Sequence, residues 1–352
     1  PILGPPLGGW LTDHYSWHWV FLINVPIGAL ALFGVATSLP LDETRASRFD
    51  LRGFLLLTIG IGALQLLLDR GEQADWFASN EIRIEAALAF LGFYLYAVHW
   101  RFRPDAFLDL GLFRDRNFLA SNVFIFVHGV VLFATMALLP PYLQGLMGYP
   151  VTETGVLLAP RGIGTMAAMM LVGRLLARGV DARLLAGLGM LLTGASLWAM
   201  TGFGPEVPQS LVVVTGVVQG LGLGLVFVPV STVAYATLPI RQRTEAAGIF
   251  SLVRNLGSSV GISVVIALLS RNTQINHAEI AERLTPYTHT FTPAFATPQG
   301  LAALNAEVTR QATAIAYIDD FKLMMWLALA SLPLLLLLRP AHGAPVPAAV
   351  DH

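Results

Sequence analysis

Two arginines stand where an arginine is costly. Arg161 follows Pro160 about one third of the way into the apolar run 151–177. Arg254 lies within EAAGIFSLVRNLGSSVG, nearly three turns beyond the nearest basic residues. An ionisable group inside hydrocarbon finds a partner, reaches a wet cavity or costs several kcal/mol, so both are candidates for coupling or for lining a substrate cavity. For Arg161 there are two readings of equal weight: Pro160 frees backbone carbonyls and aims the guanidinium into a cavity, or the long side chain snorkels to a headgroup. Arg254, beside Asn255, reads better as functional. His128 sits mid-run in NVFIFVHGVVLF. Its ordinary pKa suits a proton relay, while a lone helical histidine is more commonly a hydrogen-bonded packing residue. Asn122, Gln219 and Asn255 suit either interhelical hydrogen bonds or the wall of a wet cavity. No acid falls convincingly mid-run. Glu245 stands at the start of its run, where a helix N-terminus favours an anion, and reads as a cap.

The elements that must position these groups are membrane helices. The 352 residues are 55% hydrophobic and 12% charged, too apolar for a water-facing surface of this size. Runs long enough to cross about 30 Å of hydrocarbon fall near 17–39, 51–69, 83–103, 118–146, 151–177, 182–203, 210–238, 245–270 and 320–338, after the tail of another near 1–11. The fold class is therefore all-α and polytopic, with about nine full spans and part of a tenth. Basic residues alternate between the connections. Arg45, Arg48 and Arg52; Arg101, Arg103, Arg114 and Arg116; Arg174, Arg178 and Arg183; Arg241 and Arg243; and Arg339 share one side, which the charge bias makes cytoplasmic. Trp10, Trp17 and Trp19 then mark the outer interface.

Small residues are grouped. Gly4-Pro5-Pro6-Leu7-Gly8-Gly9 strips side chains from one helix face and donors from its ladder, giving a helix that packs closely and bends. Gly220 and Gly224, within QGLGLG, and Gly257 and Gly261 make similar faces on two later helices. Ordinary close packing accounts for them equally well. Phe118, Phe124, Phe126 and Phe133, with Met136, Met166, Met169 and Met170, supply soft apolar surface. Core or lipid contact is the preferred reading over a drug site.

GPPLGGW followed by SWHWVFLINVPIG, then LDRGEQADWF and FLDLGLFRDRNF, resembles the major facilitator superfamily, in particular its fourteen-span drug:proton antiporters of the EmrB/QacA type. The likeness covers nearly the whole chain. It implies a partial major facilitator fold, amino-terminally truncated, since the first residue is Pro and about four spans and part of a fifth would precede it. Residues 1–39 would end the amino-terminal half, 40–105 would hold two linker helices, and 106–352 would form the six-helix carboxy-terminal half with a large outer loop at 271–319. By position in the repeat, Gly257 and Gly261 correspond to Gly4 and Gly8, all serving hinge and helix packing with Pro5 and Gly9. GRLLARGVDARLLAG is a degenerate copy of the superfamily's cytoplasmic signature, keeping Gly173 and Arg178 as a candidate gate. The acid that carries the proton in such antiporters would lie upstream, and this chain alone would not transport.

The function this resemblance implies is proton-coupled export of lipophilic or amphiphilic compounds by alternating access across the bacterial cytoplasmic (inner) membrane. The alternative is a dedicated exporter of a metabolite or siderophore. Expected partners are the lipid bilayer, lipophilic small molecules and protons, with a periplasmic adaptor and outer-membrane channel as further candidates at 271–319. A solvated connector, with a helical-looking stretch from Leu301 to Ile318, is the preferred reading of that segment. No cofactor is expected, the proton gradient being the energy source. The net charge of -1 argues against nucleic acid. An enzyme is disfavoured: the chain has no cysteine, no His-Glu-x-x-His or Gly-x-Ser-x-Gly motif and no phosphate loop, and His277 and His289 lack metal-ligand spacing.

Overall fold

The computed structural model describes residues 4–38, 49–103, 106–284 and 297–339. Arg45, Arg48 and His289, and the expected division points at 39–40 and 105, lie outside them. The elements are helical throughout: α1 (Gly4–His14), α2 (Trp19–Leu22), α3 (Asn24–Ser38), α4 (Leu51–Arg70), α5 (Asn80–Phe102), α6 (Arg116–Pro141), α7 (Val151–Ala177), α8 (Ala182–Met200), α9 (Gln209–Ala236), α10 (Ile240–Arg283) and α11 (Pro298–Ala330). Taking α2 with α3, nine segments among the described residues are long and apolar enough to cross a membrane.

Polar residues set many of the helix starts. Asp50 caps α4 through Gly53 N–H, Asp115 caps α6 through Phe118 N–H, Asp181 caps α8 through Arg183 N–H, and Thr297 caps α11 through Gly300 N–H. Pro140 and Pro141 remove donors from the last turn of α6, which continues as one π turn, Tyr142–Leu146.

Helices α6 to α11 form one bundle in which α9 packs between α7 and α8, and α10 packs along α6 and α11. Glycine makes the close crossings. A Cβ on Gly224 would lie 2.6 Å from Ala168 Cβ on α7, and one on Gly220 would collide with the Arg161 carbonyl. On α10, a Cβ on Gly257 would strike the Phe126 carbonyl, and one on Gly261 would lie 2.7 Å from the Val130 carbonyl, both on α6. Backbone therefore rests on backbone at these points, and dispersion between adjoining helices is gained over the whole face. Helix α4 crosses α5 the same way, a Cβ on Gly92 falling 2.7 Å from Gly60 Cα. That pair reaches the bundle where Ser259 Oγ donates to Gln65 Oε1.

Several expectations are corrected. Helix α10 runs 44 residues, about 66 Å, so residues 271–283 continue the helix well beyond a 30 Å hydrocarbon layer, while the helical-looking stretch from Leu301 to Ile318 lies within α11. Polar sequence marks where a helix leaves an apolar layer, not where it ends. The two extensions are tied by His277 with Asn305 and by Asn276 donating to the Ala312 carbonyl. Where α4 leads into α5, Asp69 accepts from Gln65 and Arg70 pairs with Glu81. Glu245 is not a cap of its own helix. It lies one turn inside α10 and accepts from the Asp109 N–H of the segment before α6.

Candidate functional site

A cavity of about 400 Å³ lies among α6, α7, α9 and α10, with Pro5 of α1 at its edge. Its wall is mainly apolar, including Leu132, Phe133, Met136, Met169 and Phe227. Three cationic or basic side chains reach it: His128 from α6, Arg161 from α7 and Arg254 from α10. None of the described lining residues is acidic.

Arg161 is 8% exposed, and its Nη2 donates to the Leu132 carbonyl at 3.4 Å. Gly220 lets it sit there, because a Cβ at that point of α9 would strike the Arg161 carbonyl and displace the backbone of α7. The Arg254 guanidinium stands over the Phe227 ring, 5.4 Å from its centroid, and its Nε is buried with no hydrogen-bond partner. His128 is 2% exposed with Nδ1 unpartnered, close enough to both arginines to feel their charge. The arrangement sets two arginine charges and one imidazole around a greasy space, which suits a molecule with an anionic or strongly accepting end and an apolar body.

The other polar candidates stand elsewhere. Gln219 is fully buried behind the cavity, its Nε2 3.4 Å from Thr135 Oγ1 and its Oε1 unpartnered. Asn122 donates to the Phe118 carbonyl of its own helix at 2.8 Å. Asn255, next to Arg254 in sequence and about 100° further around α10, is exposed and does not line the cavity. Of the aromatic and Met stripe, Phe133, Met136 and Met169 line the cavity, Phe118 and Phe124 are core, and Met166 and Met170 face outward. Gly173 has open space around it, and Arg178 is exposed with no ion pair or side-chain hydrogen bond among the described residues. At that end of the bundle Arg183 is the engaged cation, pairing with Asp181 and donating to the Leu338 carbonyl.

At the opposite end α1 lies on α7. A Cβ on Gly9 would come 2.8 Å from the Val151 carbonyl, and one on Gly155 would strike the Pro5 carbonyl, whereas Gly4 and Gly8 have no described atom within contact distance. Two buried acids escape a linear reading. Asp320 is 1% exposed with both carboxyl oxygens unpartnered, and Glu85 is 8% exposed with Oε2 unpartnered. Each stands near the end of an apolar run, where the sequence alone leaves exposure undecided.

Residues 1–262 match the family model of the Major Facilitator Superfamily. The chain belongs to that superfamily. It is similar to the fatty acid resistance protein FarB of Neisseria gonorrhoeae, 33% identical over 97% of this chain and 69% of FarB. It is also similar to the multidrug export protein EmrB of Escherichia coli K12, 30% identical over 98% of this chain and 69% of that protein. Among solved structures, a bacterial homologue of the human lysosomal transporter Spinster, in an inward-facing and occupied conformation, superposes with a TM-score of 0.50. It is 17% identical, over 81% of this chain and 64% of the other, a likeness of fold. The chain is thus an EmrB-like, multi-pass major facilitator transporter and not an enzyme.

Proposed function

We propose that this major facilitator chain serves in the export of lipophilic and amphiphilic compounds, acidic ones included, across the bacterial cytoplasmic membrane by proton-coupled alternating access. One observation carries the reading: a mainly apolar cavity of about 400 Å³ that holds His128, Arg161 and Arg254 and no described acid. Unpaired cations in a low-dielectric wall attract an anionic group strongly, and Met and Phe re-pack around differing apolar bodies. The names of FarB and EmrB accord with such cargo.

In this reading residues 1–39 close the amino-terminal half, 40–105 form the linker pair and 106–352 form the carboxy-terminal half. The arginine-rich ends of the helices face the cytoplasm. The glycine faces at Gly220, Gly224, Gly257 and Gly261 keep the carboxy-terminal bundle rigid while the halves rock. Extensions of α10 and α11 on the outer side offer a place for a periplasmic adaptor that leads to an outer-membrane channel. The proton gradient drives the cycle and no cofactor takes part.

Inverted membrane vesicles holding the whole transporter provide the test. An imposed pH gradient should drive uptake of a fluorescent fatty-acid analogue. Equal uptake with and without the gradient would overturn proton coupling. Undiminished uptake by both Arg161→Ala and Arg254→Ala would remove the cavity from the path.

A further inference from the structure

Asp13 is the last acid of α1, and its partner lies 139 residues away. Its Oδ2 accepts from Thr152 N–H at 2.9 Å and, in a shorter bond, from the Thr152 hydroxyl. Thr152 is the second residue of α7. The residue before that helix is Pro150, which supplies no side-chain cap. A helix N-terminus leaves donors open and carries partial positive charge, so an anion is favoured there. Here the anion is supplied by a different helix.

The same two helices touch below this point, with Gly9 against the Val151 carbonyl and Gly155 against the Pro5 carbonyl. Pro5 is itself a cavity-lining residue. The seam from Asp13–Thr152 through Gly9–Val151 to Pro5–Gly155 thus runs from the outer rim down to the cavity. Glycine contacts along it are flat and non-directional. The carboxylate at its top supplies directed hydrogen bonds and charge.

We propose that Asp13 is a latch: by capping α7 it holds the outer ends of α1 and α7 together, and its release accompanies opening of the cavity outward. The proposal rests on the alternating-access reading above, with α1 and α7 in different halves. Asp13 is thus a positioning residue that touches no cargo. A cap that only finished α7 could come from the residue just before it, as Asp115 caps α6. Drawing the cap from α1 makes completion of one helix conditional on the position of another.

The chain contains no cysteine, so Met136→Cys places a single reporter thiol of this chain in the cavity wall. In right-side-out vesicles, its rate of reaction with a membrane-impermeant maleimide measures outward opening. Asp13→Ala should raise that rate several-fold, with Thr152→Val giving a smaller rise because the backbone donor remains. Pro150→Asp added to Asp13→Ala restores a cap from within α7 and should leave the rate high. An unchanged rate in Asp13→Ala overturns the latch. So does a return to the parent rate in the Pro150→Asp double variant, which would mean that Asp13 merely completes α7. If Asp13→Ala does not fold, Asp13→Asn, which keeps one acceptor oxygen and loses the charge, is held to the same criteria. The alternating-access reading fails separately, if reporter labelling from either side ignores both substrate and pH gradient.

Discussion

Arg161 and Arg254 reach one cavity from α7 and α10, and neither has an ion-pair partner among the described residues. They are 93 positions apart in the chain and are brought together because glycines on α9 and α10 let four helices crowd a small space. If the two cations recognise an acidic headgroup, Arg161→Ala and Arg254→Ala should each weaken an acidic amphiphile about tenfold, the size of one charge-assisted hydrogen bond. A neutral analogue of equal length should be affected far less. Competition against transport of one fluorescent substrate, with the acid and its methyl ester as competitors, measures the difference.

Close helix crossings set a second expectation. Gly220→Val and Gly257→Val should each cost about 1–3 kcal/mol, because the new side chain must displace the backbone of α7 or α6. Gly173→Ala, with open space around it, should leave the thermal midpoint in detergent unchanged. Equal midpoints for all three would show that the crossings tolerate widening.

Asp50 makes a third. It is buried before α4 and accepts from His99 at 2.8 Å, from Gly53 N–H at 3.2 Å and from Phe107 N–H at 3.0 Å. Burial favours the neutral acid, but the His99 bond and the two backbone bonds outweigh it and hold the carboxyl below its ordinary value of 3.8. A depressed carboxyl stabilises the folded state above its unfolded pKa, and that stability is lost as pH falls through the folded value. The midpoint should therefore drop as pH falls below about 4. Asp50→Asn should lower it at neutral pH and flatten this acid dependence.

Asp320 gives the fourth. Its two carboxyl oxygens are buried without partners, one turn along α11 from Tyr317, whose ring meets Tyr142 edge to face at 5.3 Å. An unsatisfied buried polar group costs about 1–3 kcal/mol, and Asn keeps the shape without the charge. Asp320→Asn should raise the thermal midpoint, and a lower one would reveal a partner that the carboxylate needs.

By itself the sequence determined the class of this protein. Apolar runs, arginine alternation and motifs such as GPPLGGW and SWHWVFLINVPIG sufficed to place nine spans and the superfamily, because hydropathy and short motifs are properties of adjacent residues. It also singled out Arg161, Arg254 and His128, since a charge or an imidazole within an apolar run is conspicuous without a structure. Only the tertiary structure decided what those residues face. Arg254 turns to the cavity and Asn255 away from it; Gln219 is buried behind the wall; Asp320 is buried near the end of a span; and Asp13 finds α7. Each depends on how a helix is rotated about its axis and which neighbour it meets. Those are fixed by contacts between residues far apart in sequence, such as Gly220 with Arg161 and Gly257 with Phe126, and no local pattern contains them.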